Sequence, residues 1–570
     1  MKDNFVFRLR VVYSLLFFVG LTIIARLFFV QVVRGKTYRN MASGQYIAPT
    51  ADYFDRGSIF FQKKDENLVS AATVKRGYVL AIIPKEIEDV EKMYSELSAI
   101  VDGLDRESFL VRANKKDDPY EEIAHKLTEE QAEQIQKMDI DGIRVFVETW
   151  RSYPAGSLAS RVLGFVGFKD NKLVGRYGLE RFYEDILRKD GEGKIQINAF
   201  AEIFLDIKEA IGSNRKKGDI VLTIDPVVQS SLEKILGKIQ ESYDAEMSGG
   251  IIMDPQTGRI LAMSAKPNFD PNIYGQVQDM SLFFNPSVES MFEVGSIIKP
   301  LTLSAAIDRG VITSETSYYD KGYVMIEGEK IKNHDEKERG TVNMQDVLNN
   351  SLNNGAVLAM QKLGKENFKK YILDFGLGEE TGIDLPNEIS GNISNLDSKR
   401  EIEYATASFG QGIAVTPIAM ILALSSLANG GNLIKPFVVD KIITDGGIET
   451  KTELEVRRNV LKKETAEEIT RMLVKAVDEA LLGGTIKLEH YSVAAKTGTA
   501  QMYNKNGKGY SKDRYLHTFF GYAPAFDAKF VTLLFLVNPR GAESASYTLP
   551  KPFMEMTKFL LNYYEIPPDR

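Results

Sequence analysis

Three short stretches carry residues that can do chemistry together: Ser296-Ile297-Ile298-Lys299, Ser351-Leu352-Asn353 and Lys496-Thr497-Gly498-Thr499. A serine hydroxyl is a weak nucleophile until a neighbour takes its proton. Lys299 stands three residues after Ser296, so on a helix the two side chains share a face. It can act as that neighbour if burial and a second cation, Lys496, lower its pKa. The tetrahedral intermediate of such an attack carries an oxyanion. Backbone N–H groups of Ser296 and Thr499 are the expected donors to it, each contributing roughly 3 to 4 kcal/mol. Lys496, Thr497 and Thr499 can grip a terminal carboxylate. Ser351 can pass a proton to a leaving amine, and Asn353 can bond a substrate amide. Gly498 is expected to lie against the substrate, where a Cβ would collide. The chemistry specified is acyl transfer through a serine ester.

Each motif alone recurs by chance. Ser213-Asn214-Arg215-Lys216 and Ser231-Leu232-Glu233-Lys234 repeat the first spacing, and Ser390-Gly391-Asn392 the second. Ser213 sits in a polar run between two glycines that reads as a turn. Ser231 lies within the helical pattern of residues 227–239, away from any helix start. Ser296 follows Gly295 and opens the apolar stretch 297–307, with Pro300 at a position best tolerated near a helix start. Lys-Thr-Gly-Thr occurs once.

The bulk composition excludes several other chemistries. The 570-residue chain has a net charge of −7, with both signs interspersed, which argues against a nucleic-acid footprint. It has no cysteine, so disulfides and thiolate metal sites are out. Its four histidines, His125, His334, His490 and His517, form no H-E-x-x-H. No metal and no cofactor is expected, and each histidine is read as structural or surface.

Residues 11–33 are almost wholly apolar, and as a helix would span roughly 34 Å, enough to cross a bilayer. Lys2, Arg8 and Arg10 precede or open this run and place residues 1–10 in the cytoplasm. The run is longer than a signal peptide needs and lacks a clear cleavage site, so a retained anchor is expected, with everything after residue 34 outside the cytoplasm. Arg26 inside it either snorkels to the outer interface or faces another membrane protein.

Beyond the anchor, the periodicity changes at a charged stretch, 212–218. Before it, residues 34–218 mix strands (69–83, 191–211) with charged helices (86–100, 128–138, 176–187). After it, residues 219–570 begin with a strand at 220–225, a helix at 226–239 and a hairpin over 249–254 and 258–263. Helical patterns dominate from 296 to 363, and strands are expected at 491–499, 518–523 and 530–537. An α/β domain follows, whose sheet is closed from both ends of the chain.

The motif trio resembles that of penicillin-binding proteins and serine β-lactamases. Arg56-Gly57-Ser58-Ile59, Tyr153-Pro154-Ala155-Gly156, Gly164-Phe165-Val166-Gly167 and Gly178-Leu179-Glu180 resemble signatures of the non-catalytic domain of class B penicillin-binding proteins. Leu222-Thr223-Ile224-Asp225, Gly410-Gln411-Gly412 and Thr416-Pro417 resemble those of its transpeptidase domain. The resemblance implies a penicillin-recognising fold, an antiparallel sheet flanked by helices. It also implies an elongated α+β non-catalytic (dimerisation or pedestal) domain before that fold and one N-terminal transmembrane helix. It implies a peptidoglycan D,D-transpeptidase in which Ser296 attacks the D-Ala-D-Ala end of a stem peptide and an amine of a neighbouring stem takes the acyl group. β-Lactams would acylate the same serine, and the implied partner is a membrane glycan polymerase of the shape, elongation, division and sporulation family. Three positions depart from the pattern: Val294 for a proline, Ala495 for a glycine, and Phe60-Phe61-Gln62 where the family has Asp-Arg-Asn-Gly. A membrane-bound D,D-carboxypeptidase and an inert scaffold of a division or elongation complex remain alternatives.

Overall fold

The computed structural model describes residues 17–23, 26, 55–170, 172–189, 217–504 and 509–570. Residues 17–23 and Arg26 are helical. Most of the expected anchor, the strands expected at 191–211 and most of the charged stretch at 212–218 lie outside the described residues. Among those described, no helix is long and apolar enough to cross a membrane. The chain divides into two compact units. The smaller takes Val74–Trp150 from the described middle of the chain; the larger takes Arg56–Thr73, Arg151–Lys189 and nearly all that follows.

The smaller unit pairs strand residues 78–82 with Glu121–Leu127, Tyr78 opposite Leu127 and Ile82 opposite Glu121. Its helices start where a side chain can take the orphan N–H groups of the first turn. Asp89 accepts from Lys92 N, Asp105 from Ser108 N, and Thr128 with Gln131 forms a reciprocal capping box. Met93, Leu97, Phe109 and Ile135 of these helices close over Leu80 and Ile82 of the sheet.

The larger unit is built on a five-stranded antiparallel sheet. In chain order its main elements are α1 (Pro226–Ser242), β1 (Met247–Met253), β2 (Ile260–Lys266), α2 (Lys299–Asp308), α3 (Asn353–Leu363), α4 (Pro417–Ala428), α5 (Lys463–Lys475), β3 (Ala494–Tyr503), β4 (Tyr510–Ala523), β5 (Phe530–Val537) and α6 (Pro550–Tyr563). The strand order is β3-β4-β5-β1-β2, so the sheet is closed from both ends of this part of the chain as the pattern predicts. Helices α1 and α6 cover one face through Leu232, Phe553 and Leu560, against Ile252, Phe519 and Leu534. Helix α4 packs on the other face against β1 and β5. Its sequence is apolar all round, and all but its last residue is buried, as such a helix must be.

Two expectations are corrected. The stretch read as mainly helical from 296 to 363 contains four short strands, Ser317–Asp320 paired with Gly340–Asn343 and Tyr323–Ile326 paired with Glu329–Lys332. Gly322 and Gly328, both at positive φ, lie in the connections that break the helical period, and Gly340, also at positive φ, opens a strand. The strand expected over 220–225 stops at Leu222, because Asp225 is already the cap of α1, accepting from Val227 N and Val228 N.

The larger unit also holds a buried charge cluster. Arg56 Nε and Arg151 Nε each donate to the Glu180 carboxylate at 2.6 Å, and Glu184 meets Arg56 at 2.8 Å. Tyr153 Oη donates to the same carboxylate at 3.2 Å and accepts from Val166 N at 3.0 Å. Burial raises the Glu180 pKa, but the two guanidiniums outweigh it and hold it below the ordinary glutamate value. The segments before and after the smaller unit are thereby tied together by ion pairs that carry their own hydrogen bonds.

Candidate active site

Ser296 sits on a 3-10 turn, Gly295–Ile298, that runs straight into α2. The turn starts at Gly295, whose φ of +64° suits glycine. A Cβ there would stand 2.7 Å from Thr499 O and 3.1 Å from Thr499 N, so the nucleophile turn is pressed against β3. Gly410 closes the other side: its carbonyl accepts from Gly295 N at 3.1 Å, and its own Cβ would lie 2.2 Å from Gly295 O. This brings Ser296 and the backbone of Thr499 together, as an oxyanion pocket requires. The Ser296 N–H also belongs to a helix's first turn, where such groups have no intrahelical acceptor.

On a 3-10 turn residues three apart eclipse, which aligns Lys299 with Ser296. Lys299 is fully buried. Its Nζ donates to Ser351 O at 2.6 Å and Ser351 Oγ at 3.2 Å. Burial, and after it the charge of Lys496, push its pKa well below the ordinary lysine value. Lys496 is buried as well, which lowers it to about 8. Its Nζ donates to Thr497 O at 3.2 Å.

Ser351 has a left-handed backbone, φ +55°, a conformation that costs a non-glycine residue about 1 kcal/mol or more. A network the sequence did not announce holds it. The Asn333 side chain accepts from Asn353 N at 2.9 Å and Asn354 N at 3.2 Å, and donates to both carboxylate oxygens of the fully buried Asp320 at 3.0 and 2.9 Å. Asn354 Nδ2 donates to Asp320 at 2.6 Å, and Asn353 Nδ2 to Lys332 O at 2.8 Å. The start of α3 is thus pinned by side chains from the hairpins before it.

Ser296, Ser351, Asn353, Lys496, Thr497 and Thr499 line one cavity of about 740 Å³. Thr499 Oγ1 accepts from Ala545 N at 3.0 Å. Gly498 does not line that cavity. A Cβ on it would meet Thr518 Oγ1 at 2.2 Å and Val294 O at 2.7 Å, so packing against the protein already demands glycine there. Val294 and Ala495, two of the unusual positions, are both accommodated: Val294 O accepts from Thr518 Oγ1 at 2.9 Å, and Ala495 faces Gly521 across the sheet. The cavity also recruits Phe409, Glu543 and Tyr547, which no motif marked, together with His334 and with Gln411 of the Gly410-Gln411-Gly412 motif. His517 is buried on β4 opposite Thr499, with Nδ1 2.9 Å from Thr548 Oγ1, and burial lowers its pKa to about 4. It is therefore a neutral structural histidine at physiological pH.

The comparisons agree with this geometry. The family model for the penicillin binding protein transpeptidase domain matches residues 249–555, and that for the penicillin-binding protein dimerisation domain matches residues 53–222. Stage V sporulation protein D of Bacillus subtilis is 33% identical over 562 residues, covering 97% of this chain and 85% of its own. Penicillin-binding protein PbpB of Mycobacterium tuberculosis is 27% identical, covering 94% and 81%. Among solved structures, penicillin binding protein 2X from Streptococcus thermophilus matches with a TM-score of 0.73 at 21% identity, over 90% of this chain and 80% of that one. Penicillin binding protein 3 from M. tuberculosis, complexed with aztreonam, matches at 0.69 and 23%, over 91% and 98%. At these identities the structural likeness is one of fold. The matched domains and the relatives that span nearly the whole chain give its identity: it belongs to the class B penicillin-binding proteins, the peptidoglycan D,D-transpeptidases.

Proposed function

We propose that Ser296 is the nucleophile of D,D-transpeptidation, with Lys299 as its base. Lys299 takes the Ser296 proton as Oγ attacks the carbonyl of the penultimate D-Ala. The oxyanion is held by the N–H groups of Ser296 and Thr499. Ser351, bonded to Lys299, relays the proton to the departing D-Ala amine, while Lys496, Thr497 and Thr499 hold its carboxylate and Asn353 the stem amide. An amine of a second stem then attacks the ester and completes the cross-link; a β-lactam leaves the ester in place. The observation that carries this reading is a buried Lys299 bonded to Ser351 and facing a second buried lysine, because a lysine is a base only once its proton is easily lost.

The same reading takes residues 1–10 as a cytoplasmic tail, 11–33 as the membrane anchor, 34–218 as the non-catalytic domain and 219–570 as the transpeptidase domain outside the plasma membrane. There it works beside a membrane glycan polymerase. The positive residues before an apolar run of bilayer length support this topology.

Intact-mass analysis of the full-length protein after penicillin treatment tests the assignment. One stable adduct is expected on the native chain and none on Ser296→Ala. An adduct that persists in the variant would overturn it.

A further inference from the structure

Cross-linking needs two peptides at one serine, and the residues assigned above account for the donor alone. The catalytic cavity continues past them. Tyr515 and Glu543 line it, and both also line a second groove of about 770 Å³, walled by Lys512, Arg514, Asn538 and Arg540. The two spaces therefore meet at these two side chains. Arg514 and Asn538 both donate to Glu246, at 2.9 and 2.8 Å, and Arg540 forms an exposed pair with Asp244 at 2.9 Å. Tyr515 Oη donates to Lys512 O at 2.9 Å, making a sill between groove and cavity.

Apart from Lys496, three charged side chains along the two spaces form no ion pair among the described residues; one of them, Asp513, accepts from Ser511 Oγ at 2.6 Å. Glu336, the other carboxylate of the catalytic cavity, is neutralised by Lys332 at 2.9 Å. Among the described residues, neither the Glu543 carboxylate nor the Lys512 ammonium has an ion-pair partner. A free carboxylate at the junction and a free cation in the groove match a ligand with an ammonium at one end and a carboxylate beside it.

We infer that this groove is the acceptor site: it takes the amine-bearing diamino-acid residue of a second stem peptide, with its ammonium at Glu543 and its carboxylate at Lys512. The inference rests on Ser296 being the acylated residue. The ammonium gives one proton to Glu543 and thence to solvent. The neutral nitrogen attacks the acyl carbon, the C–N bond forms and the C–Oγ bond of Ser296 breaks. A second proton leaves the nitrogen and returns to Oγ by way of Lys299, and the third stays on the new amide. Glu543 thus favours amine over water at the same ester.

The test uses the full-length protein, a stem tripeptide ending in D-Ala-D-Ala with its other amines acetylated, and diaminopimelate as acceptor, with products read by mass spectrometry. Glu543→Gln is expected to lower the ratio of amide to hydrolysed donor about tenfold or more, with a much smaller change in the rate of penicillin acylation. Lys512→Ala should lower the ratio for diaminopimelate but not for a diamine without a carboxylate. A ratio that neither variant moves, or hydrolysis alone in the native protein at saturating acceptor, overturns the acceptor groove while penicillin acylation stays intact. Loss of acylation in the native protein would instead overturn the reading of Ser296.

Discussion

The larger unit buries charge in two places and treats it in opposite ways. At Glu180 the charges are matched: two guanidiniums share one carboxylate, and every contact is a hydrogen bond as well. The result is a carboxylate held ionised and, at Arg56, a guanidinium whose pKa burial lowers but Glu180 and Glu184 raise by more. At Lys299 the charges are mismatched: two lysines are buried together, and the hydrogen bonds of the first go to Ser351. A matched buried cluster keeps its protons and holds structure; removing one partner leaves an uncompensated charge. A mismatched one gives its proton up, which is what a base is for.

The comparison can be broken at either end. The largest expected effect is on chemistry: Lys299→Met should slow penicillin acylation by about a thousandfold or more, yet leave thermal stability equal or higher, since the native side chain must either bury a cation with no counter-charge or give up its proton on folding. Lower stability together with retained acylation would reverse the assignment. Glu180→Ala should do the opposite, costing about 3 to 5 kcal/mol of stability by stranding Arg56 and Arg151, while the folded fraction acylates at a near-native rate. Denaturant unfolding and adduct stoichiometry separate the two.

The clusters should also differ in pH. Glu180 has a lowered pKa in the fold, so its contribution is present above the unfolded glutamate value and is lost as pH falls through the folded one. Native stability should therefore drop in acid along a limb that Glu180→Gln flattens. Lys496 is lowered to about 8 against an ordinary 10.5, so the unfolded chain binds more protons between these values and stability should rise with pH there, a gain that Lys496→Met removes. The smallest effect is at the network behind Ser351. Asp320→Ala leaves the Asn333 and Asn354 amides without their acceptor and should cost about 1 to 3 kcal/mol, with a partial loss of acylation as the start of α3 loosens.

These two clusters were unequally visible in the sequence. Ser296 and Lys299 lie within one turn, and their chemistry demands those residue types at that spacing, so the pair stood out before any fold was known. Arg56 and Glu180 each stood in a motif resembling the family, yet 124 residues separate them and nothing local says that they meet. Asp320, Asn333 and Asn354 were hidden for the same reason, and because the short hairpins carrying two of them were read as helix despite their glycines. The sheet was legible because its strands are apolar runs ended by turn residues. At Gly498 the nearness of Thr518 and Val294 was not legible, since only the packed structure puts them beside it.

The central claim is that a mismatched pair of buried lysines makes Lys299 a base. The most direct measurement is the penicillin acylation rate as a function of pH, for the native protein and for Lys496→Met. The native rate should rise with pH along a limb well below the ordinary lysine value of 10.5. In the variant that limb should move to higher pH, because one of the two causes depressing Lys299 has gone. A native limb at the ordinary lysine value, or a limb that stays put when Lys496 is replaced, would contradict the account.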